Sequence, residues 1–140
     1  MNDNLNFEKA QKIFERQIEC IMSDDRITQI GLYSEDLHYE FPFANDRPRM
    51  IEGLKAFKAV MTPLWDEARQ RGVIVVGCKY EFHGTDELDL FVAVFDLEVM
   101  VAGNTMLLPF VQLLRIKDNH ITEVREYFSP SQRQEVIDQR

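Results

Sequence analysis

Cysteine, positive charge and long apolar runs are all scarce in this sequence, and each shortage excludes a class of protein. Cys20 and Cys78 are its only cysteines, too few for a disulfide framework, so we expect two buried free thiols. The 16 lysines and arginines are outnumbered by 24 aspartates and glutamates, which gives a formal charge of −8. That balance argues against binding to nucleic acid or to an anionic membrane, because both need basic surfaces. No apolar stretch is long enough to span a membrane, and residues 1–4 lack a signal-peptide pattern, so we expect a cytoplasmic protein.

The motifs of several common catalytic centres are also missing. The sequence has no Ser-His-Asp triad spacing, no phosphate-binding glycine loop and no dinucleotide fingerprint. The histidines are scattered, and only His38 and His83 have a carboxylate two residues away on the same predicted strand, in Glu40 and Glu81. Such pairs are a weak metal signal. We therefore expect neither a metal nor a cofactor.

Apolar side chains, by contrast, are abundant. Hydrophobic residues make up 45% of the 140 residues, which is enough to build a sizeable core in one domain, residues 1–140. Ten phenylalanines against a single tryptophan are many for a chain of this length. We expect some of these rings to line a cavity.

The spacing of the apolar residues predicts helices in the first half of the chain and strands in the second. Asn6 is expected to cap the first helix, whose apolar face includes Gln17, and Pro63 to kink or break the third. The predicted helices cover residues 7–23, 27–33, 54–71 and about 129–136, and the predicted strands cover residues 37–43, 73–83, 90–101, 105–117 and 121–128. This order predicts an α+β fold, a cone-shaped curved antiparallel β-sheet with helices packed over its open side.

Turn residues predict the register of the last three strands. If the first hairpin turns at Gly103-Asn104, Phe95 lies opposite Gln112. Since side chains alternate between the two faces of a strand, this register fixes which of them face the helices.

The second hairpin has two possible turns. A two-residue turn would set Gln112 opposite Arg125 and direct several charged side chains toward the core. A three-residue turn, residues 118–120, would set Gln112 opposite Glu126 and give a far more apolar inner face. Because burying an unpaired charge costs several kcal/mol, we predict the second register.

These registers predict a small-molecule pocket whose polar end is a carboxylate and an amide. Glu126 and Gln112 would lie within hydrogen-bonding reach of each other, and we predict that they are the catalytic residues. A carboxyl among apolar side chains holds its proton more tightly than one in water, so it can serve as an acid or a base near neutral pH. The predicted ligand-binding residues are Tyr39, Phe41, Phe57, Met61, Trp65, Phe95, Leu97, Phe110, Leu114, Val124 and Phe128.

Each of these signals also has a plainer interpretation. Glu126 can be a solvated carboxylate near the end of its strand, and Gln112 can satisfy a backbone group in the core. Trp65 and the other predicted contacts on the third helix can be core residues. Arg47 and Arg49 can contact an anionic ligand at the mouth of the pocket or belong to a solvated loop.

The pattern resembles the SnoaL-like branch of the NTF2-like superfamily, which includes the ketosteroid isomerases. The resemblance covers nearly the whole chain. It rests on the helix that begins at Phe7, the strand of residues 39–43, the stretch of residues 48–53 and the closing strand of residues 121–130. It implies a cone-shaped α+β barrel with a deep pocket, a cystatin-like roll.

Residue by residue, the resemblance implies a chemistry different from that of the ketosteroid isomerases. Phe41 stands at the place of their base Asp, Phe14 at the place of their oxyanion Tyr, and Gln112 at the place of their oxyanion Asp. Residues 125–130, Arg-Glu-Tyr-Phe-Ser-Pro, are more similar to the phenazine-biosynthesis members, whose corresponding Glu is a proposed acid catalyst. The resemblance therefore implies an acid or base role for Glu126 and argues against efficient steroid isomerisation.

We predict a cofactor-independent isomerase, cyclase or dehydratase that acts by proton transfer through Glu126 on a small hydrophobic or aromatic molecule. The alternative is a non-catalytic small-molecule binding or accessory protein, because one fold supports both. An enclosed carboxyl at Glu126 favours the enzyme, and a solvated one, or a cavity filled by phenylalanines, favours the binder.

The outer face of the predicted sheet is apolar at Val92, Val94, Val111 and Leu113. Four apolar side chains on one outer face are more stable when covered than when exposed to water. We therefore predict a homodimer through the outer sheet face.

Overall fold

The computed structural model describes residues 2–138, which contain four helices and six strands. The helices are α1 (Asn2–Ser23), α2 (Arg26–Ile30), α3 (Leu54–Gln70) and α4 (Pro130–Asp138). The strands are β1 (Tyr33–Glu40), β2 (Met50–Glu52), β3 (Ile74–Gly84), β4 (Leu90–Val101), β5 (Asn104–Lys117) and β6 (His120–Phe128). The predicted α+β class is confirmed, and β2 is a short strand that the sequence pattern did not predict.

The six strands form one sheet in the order β2-β1-β6-β5-β4-β3, and the sheet does not close on itself. Neighbouring strands are antiparallel except for β1 and β6, which are parallel. The sheet is therefore mixed, whereas the sequence predicted a wholly antiparallel one. A parallel pair needs a long crossover connection, and here α3 and the three intervening long strands supply it. Helix α1 packs on β3 and helix α3 packs on β1, so both cover the inner face of the sheet.

The first helix begins earlier than the sequence predicted. It starts at the second residue rather than near Phe7, so Asn6 lies inside the helix and does not cap it. The side-chain amide of Asn6 instead donates to the carbonyl of Leu88, in the β3–β4 connection. A residue type that favours caps is used here for a tertiary contact.

Helix α3 continues through Pro63, so the predicted break is wrong. Proline lacks the N–H that would bond to the carbonyl of Ala59, one turn earlier. Both residues are exposed, so water can hydrate this carbonyl without any burial of an unpaired polar group.

The closing helix begins as predicted. The Ser129 hydroxyl oxygen accepts a hydrogen bond from the backbone N–H of Gln132 at 3.3 Å. Pro130 follows as the first helical residue, where a missing N–H costs nothing.

The β4–β5 hairpin turns one residue earlier than predicted. Its two central residues are Ala102 and Gly103, with φ of 51° and 80°, as a tight right-twisted hairpin requires. Phe95 therefore pairs with Phe110 rather than with Gln112. A turn displaced by one residue displaces the register by two, so every side chain stays on its predicted face.

The β5–β6 hairpin has the predicted register but a different turn. Gln112 pairs with Glu126, as predicted. The turn, however, has only two residues, Asp118 and Asn119, with φ of 51° and 64°. A bulge at Thr122 then inserts the extra residue that the predicted three-residue turn would have supplied.

The core lies between the inner face of the sheet and the helices, with Phe14 near its centre. Phe14 is fully buried, and its ring centroid lies 5.3 Å from that of Phe82 and 5.6 Å from that of Phe95. Cys20 is buried and Cys78 is half-buried, and both are free thiols. No helix within residues 2–138 is long and apolar enough to cross a membrane.

Candidate active site

A cavity of about 190 Å³ opens between the helices and the inner face of the sheet, beside the packed core. Its walls come from α1, α2, α3 and α4 and from strands β1, β4, β5 and β6. Most of the wall is apolar or aromatic, with a small set of amide, carboxylate and guanidinium groups. This composition is typical of a small-molecule site.

Glu126 lies in the wall of this cavity and is half-buried. Its Oε1 atom accepts a hydrogen bond from Gln112 Nε2 at 2.7 Å and one from the Tyr39 hydroxyl at 2.8 Å. Within residues 2–138, no group donates a hydrogen bond to the second carboxylate oxygen, Oε2. The side chain is thus held through one oxygen, while the other has no protein donor within that range.

The Gln112 amide is itself held from behind. Gln112 is 2% exposed, and its Oε1 accepts from Gln17 Nε2 at 3.1 Å. The Tyr33 hydroxyl donates to Gln17 Oε1 at 2.7 Å. Gln29 Nε2 donates to the same Tyr33 hydroxyl at 3.2 Å.

This series of hydrogen bonds begins at a cation and ends at an anion. Arg26 Nη1 donates to Gln29 Oε1 at 2.7 Å. From there each side chain donates to the next one in the same direction, through Tyr33 and the two buried amides, until the last N–H reaches Glu126. Aligned hydrogen bonds polarise one another, so the series links the guanidinium group of Arg26 to the carboxylate group of Glu126. We call it the Arg26–Glu126 series.

The two tyrosines of the site remain protonated. Burial is the main cause that raises the pKa of Tyr33 and of Tyr39 well above the usual range, and the negative charge of Glu126 raises both further. Each hydroxyl therefore acts as a hydrogen-bond donor at neutral pH. For Tyr39 the acceptor is the carboxylate itself.

Among residues 2–138, three arginines reach the cavity wall: Arg26, Arg47 and Arg133. The Arg26 guanidinium lies 4.7 Å from the centroid of the Trp65 ring. Arg47, whose side chain is only 5% exposed, lies 4.7 Å from the centroid of Phe41 and 5.1 Å from that of Phe128. Arginine stacks on aromatic faces in this way because its guanidinium is planar and weakly hydrated.

Most of the residues predicted to form the site do meet at this cavity. The wall includes Tyr39, Phe57, Met61, Trp65, Phe95, Leu97, Phe110, Gln112, Glu126 and Phe128. Phe57, Met61 and Trp65 lie on one face of α3, which covers the cavity as a continuous helix.

Three predicted ligand-binding residues do not reach the wall. Leu114 and Val124 are 0% and 1% exposed and pair with each other across β5 and β6, so they fill the core beside the cavity. Phe41 follows the end of β1 and is 1% exposed, because its ring lies between the ring of Tyr39, at 4.7 Å, and the guanidinium of Arg47. All three support the wall from behind.

Several residues of the wall were not predicted from the sequence. They are Gln17, Ile21, Arg26, Gln29, Leu64, Ala68, Leu108 and Arg133. Arg47, for which the sequence allows two interpretations, also lies in the wall. Arg49, the second arginine considered for the mouth of the pocket, is exposed and donates a hydrogen bond to the carbonyl of Ala44. One signal was available: Gln17 occupies an apolar position of the first helix, where a polar side chain needs a buried partner.

Two further polar residues of the wall, Arg26 and Gln29, lie on the short helix α2, where the sequence pattern did not indicate them. In this helix the apolar Ile27 is 87% exposed, whereas the polar Gln29 is 4% exposed. Asp25 caps the helix by accepting from the N–H of Thr28 at 3.1 Å, which sets the rotation that turns Gln29 inward. A helix of five residues is too short for its periodicity to indicate a face.

The scattered histidines do not enter the site. His38 contacts Glu40 at 2.8 Å and also Glu52, on the face of the sheet opposite to the cavity. Hydrogen bonding to Glu40 and Glu52, partly opposed by burial, raises the pKa of His38. Within residues 2–138 there is no group of three His, Cys, Asp or Glu side chains placed to hold a metal ion.

Comparison with known proteins finds matches to solved structures, but the searches with the sequence find no match. No model of a protein family matches the sequence, and no curated protein matches it. The structure is similar to that of a candidate isomerase from Bacillus subtilis, with 20% identity, a TM-score of 0.76 and coverage of 94% of each chain.

Two further solved structures that are similar to this one are described as SnoaL-like and NTF2-like. A candidate SnoaL-like polyketide cyclase from Mesorhizobium loti is 20% identical, with a TM-score of 0.57 and coverage of 84% of this chain and 97% of that one. An NTF2-like protein from Burkholderia xenovorans LB400 is 15% identical, with a TM-score of 0.61 and coverage of 87% and 84%. The chain therefore has the NTF2-like fold of the SnoaL-like cyclases, as the resemblance in its sequence implied.

Proposed function

We propose that this protein is a cofactor-independent enzyme that isomerises, cyclises or dehydrates a small aromatic or apolar molecule by proton transfer through Glu126. The observation that supports this most is the carboxylate in the wall of an apolar cavity, held through one oxygen by Tyr39 and Gln112. A general base must be fixed in place and must keep an oxygen within reach of the substrate proton. The placement of Glu126 fits both conditions.

The hydrogen bonds indicate the order of the proton transfers. Both donors hold Oε1 and leave Oε2 open to the substrate, so Glu126 begins the cycle as a base and Oε2 accepts a proton from the substrate. The electron pair left behind is delocalised in the substrate as an enolate-like anion. The same carboxyl then returns its proton at another atom, or to a departing hydroxyl group. The first outcome is an isomerisation and the second a dehydration.

One observation favours the non-catalytic alternative. Tyr39 and Gln112 already satisfy one oxygen of Glu126, so the carboxylate can also serve as a purely structural end of the Arg26–Glu126 series. In that case the cavity binds a molecule and does not transform it. A structural carboxylate gives ligand binding without any proton exchange.

Hydrogen–deuterium exchange tests the proposal without knowledge of the substrate. Small aryl ketones with acidic C–H groups are incubated with the protein in deuterium oxide, and loss of those protons is followed by NMR. We expect exchange above the rate without protein for at least one ketone that binds. Binding of the ketones with no exchange in any of them would support the binder and overturn the enzyme.

A steroid enone is not expected to be a good substrate. Phe41 and Phe14 stand where the ketosteroid isomerases carry a base and a hydroxyl donor, and neither ring has a titratable group. Both are buried, and neither lies in the wall of the cavity. Turnover of a standard steroid enone, measured by its absorbance, should stay near the rate without protein. Rates near those of true isomerases would contradict this prediction and the matching of residues behind it.

We also expect a homodimer formed through the outer face of the sheet. Val92 pairs with Leu113, and Val94 pairs with Val111, so these four side chains form one apolar patch on that face. Val94 is 40% exposed, and Leu107, which lies further along β5 on the same face, is 59% exposed. Sedimentation should give a dimer at micromolar concentration, and Val111→Asp should give a folded monomer. A wild-type monomer at that concentration would rule the interface out.

The cytoplasmic location expected from the sequence also remains a prediction.

A further inference from the structure

The cavity wall carries more positive than negative charge, in a protein whose formal charge is −8. Arg26, Arg47 and Arg133 reach the wall, and among the wall residues within 2–138 Glu126 is the single carboxylate. The proposed function uses Glu126 and the apolar wall but gives the arginines no part. A role for these arginines rests on that proposed function, because it concerns the ligand that the same cavity takes.

Two of these arginines share one carboxylate. Arg47 makes a double contact with Asp46, with Nε–Oδ1 of 2.9 Å and Nη2–Oδ2 of 3.2 Å. Arg133 Nη1 lies 2.7 Å from the same Oδ2 atom of Asp46. Burial opposes ionisation of Asp46, but the hydrogen bond and charge of Arg47 and the charge of Arg133 outweigh it and lower its pKa. The charge of Glu67 also acts on Arg133, but Glu67 is itself paired with Arg71 at 3.3 Å. Three guanidinium charges therefore face two carboxylate charges, which leaves one positive charge in excess at this end of the cavity.

Arg133 has donors left over for a ligand. The Arg133 side chain is 21% exposed, and its contact with Asp46 uses Nη1 alone. This contact is an ion pair, and no hydrogen bond joins the Arg133 guanidinium to another side chain or backbone group within residues 2–138. Arg47, in contrast, is enclosed between two rings and directs Nη1 at the sulfur of Met61. Arg133 is thus the guanidinium available at the wall, and Arg47 supports it.

A guanidinium with two adjacent free N–H groups matches the geometry of a carboxylate. The position of this positive end also fits the proposed chemistry. Arg47 lies against Phe128, which follows Glu126 by two residues on the same face of β6. Two residues of a strand span about 7 Å, so an anion at Arg133 would be kept apart from the carboxylate of Glu126.

We propose that the cavity binds a small organic acid, with its carboxylate on Arg133 and its aromatic or apolar body against the rings between Arg47 and Glu126. The charge on the ligand selects it from neutral molecules of the same shape. The acidic group is a binding handle and takes no part in the proton transfer.

Trp65 supplies a direct test, because it is the single tryptophan of the chain and lies in the cavity wall. Quenching of its fluorescence by phenylacetate and by phenylacetamide measures two ligands of nearly equal shape, one charged and one neutral. We expect phenylacetate to bind about tenfold or more tightly than phenylacetamide, as a charge-assisted hydrogen bond implies. Arg133→Gln should remove that difference by weakening the binding of phenylacetate.

A matched control is available in the same part of the chain. Arg49→Gln removes the same charge from a residue that is exposed and does not reach the cavity wall, so the preference for phenylacetate should persist. Glu126→Gln should bind phenylacetate at least as tightly as the wild type, since it removes a negative charge from the wall. The comparison of the two ligands in the wild type needs no variant and holds even if Arg133→Gln does not fold.

The possible failures are distinguishable. Equal affinity for the acid and the amide would overturn the inference and leave the proposed proton transfer untouched. A preference for the acid that survives in folded Arg133→Gln would overturn the assigned residue. Absence of quenching by either ligand would overturn the inference together with the aromatic-ligand cavity on which the proposed function depends.

Discussion

Glu126→Gln is expected to abolish most of the turnover, by about 10²- to 10⁴-fold, while the protein stays folded. Glutamine has nearly the same shape, and its carbonyl oxygen can accept the bonds that Tyr39 and Gln112 now donate to Oε1. The amide nitrogen then occupies the place of Oε2 and cannot accept a proton. The substitution thus removes the base and keeps its surroundings.

Exchange of the acidic protons of aryl ketones in deuterium oxide measures this loss, and thermal unfolding reports the fold. Glu123→Gln is the matched control, because Glu123 lies on the same strand but is exposed and pairs with Arg115. Gln112→Ala should reduce the rate less than Glu126→Gln, since Tyr39 still holds the carboxylate. If Glu126→Gln retains the wild-type rate, Glu126 is not the base.

The second large effect expected is on stability, from Gln17→Leu. Gln17 is 1% exposed and joins Tyr33 to Gln112 in the middle of the Arg26–Glu126 series. Leucine fills a similar volume but leaves the Tyr33 hydroxyl without an acceptor and Gln112 Oε1 without a donor. An unpaired buried polar group costs about 1–3 kcal/mol, so we expect a loss of about 2–4 kcal/mol in the free energy of unfolding.

A double-mutant cycle gives the discriminating measurement. Tyr33→Phe alone also breaks the series, so Gln17→Leu combined with Tyr33→Phe should be less destabilising than the sum of the two single variants by about 0.5–3 kcal/mol. Chemical denaturation of the four proteins supplies the values. Gln70→Leu, at the exposed end of α3, should change stability by no more than about 0.5 kcal/mol and serves as the control. Additive effects of the two buried substitutions would show that the side chains are not coupled.

The inner face of the sheet could be predicted because its causes are local. Alternation of apolar and polar residues decides which side chains of a strand share a face, and a register error of two residues, as at Phe95, leaves that face unchanged. The pairing of Gln112 with Glu126 could be predicted for a different reason. The opposing register would have buried charges, and that cost is large enough to decide between two turns. The predicted length of the turn was wrong, because Thr122 forms a bulge that no periodicity in the sequence indicates.

The polar connections around the cavity were decided by the tertiary structure alone. The Arg26–Glu126 series joins α1, α2, β1, β5 and β6. Three of its five bonds join side chains that are 14, 16 and 95 residues apart in the chain. Arg133 shares Asp46 with Arg47 only because α4 packs beside the loop after β1. Residue type and spacing determined that Glu126 faces inward and which rings accompany it. Which amides and arginines surround it depends on how the helices pack on the sheet, since hydrogen bonds form only at short range and in narrow geometry.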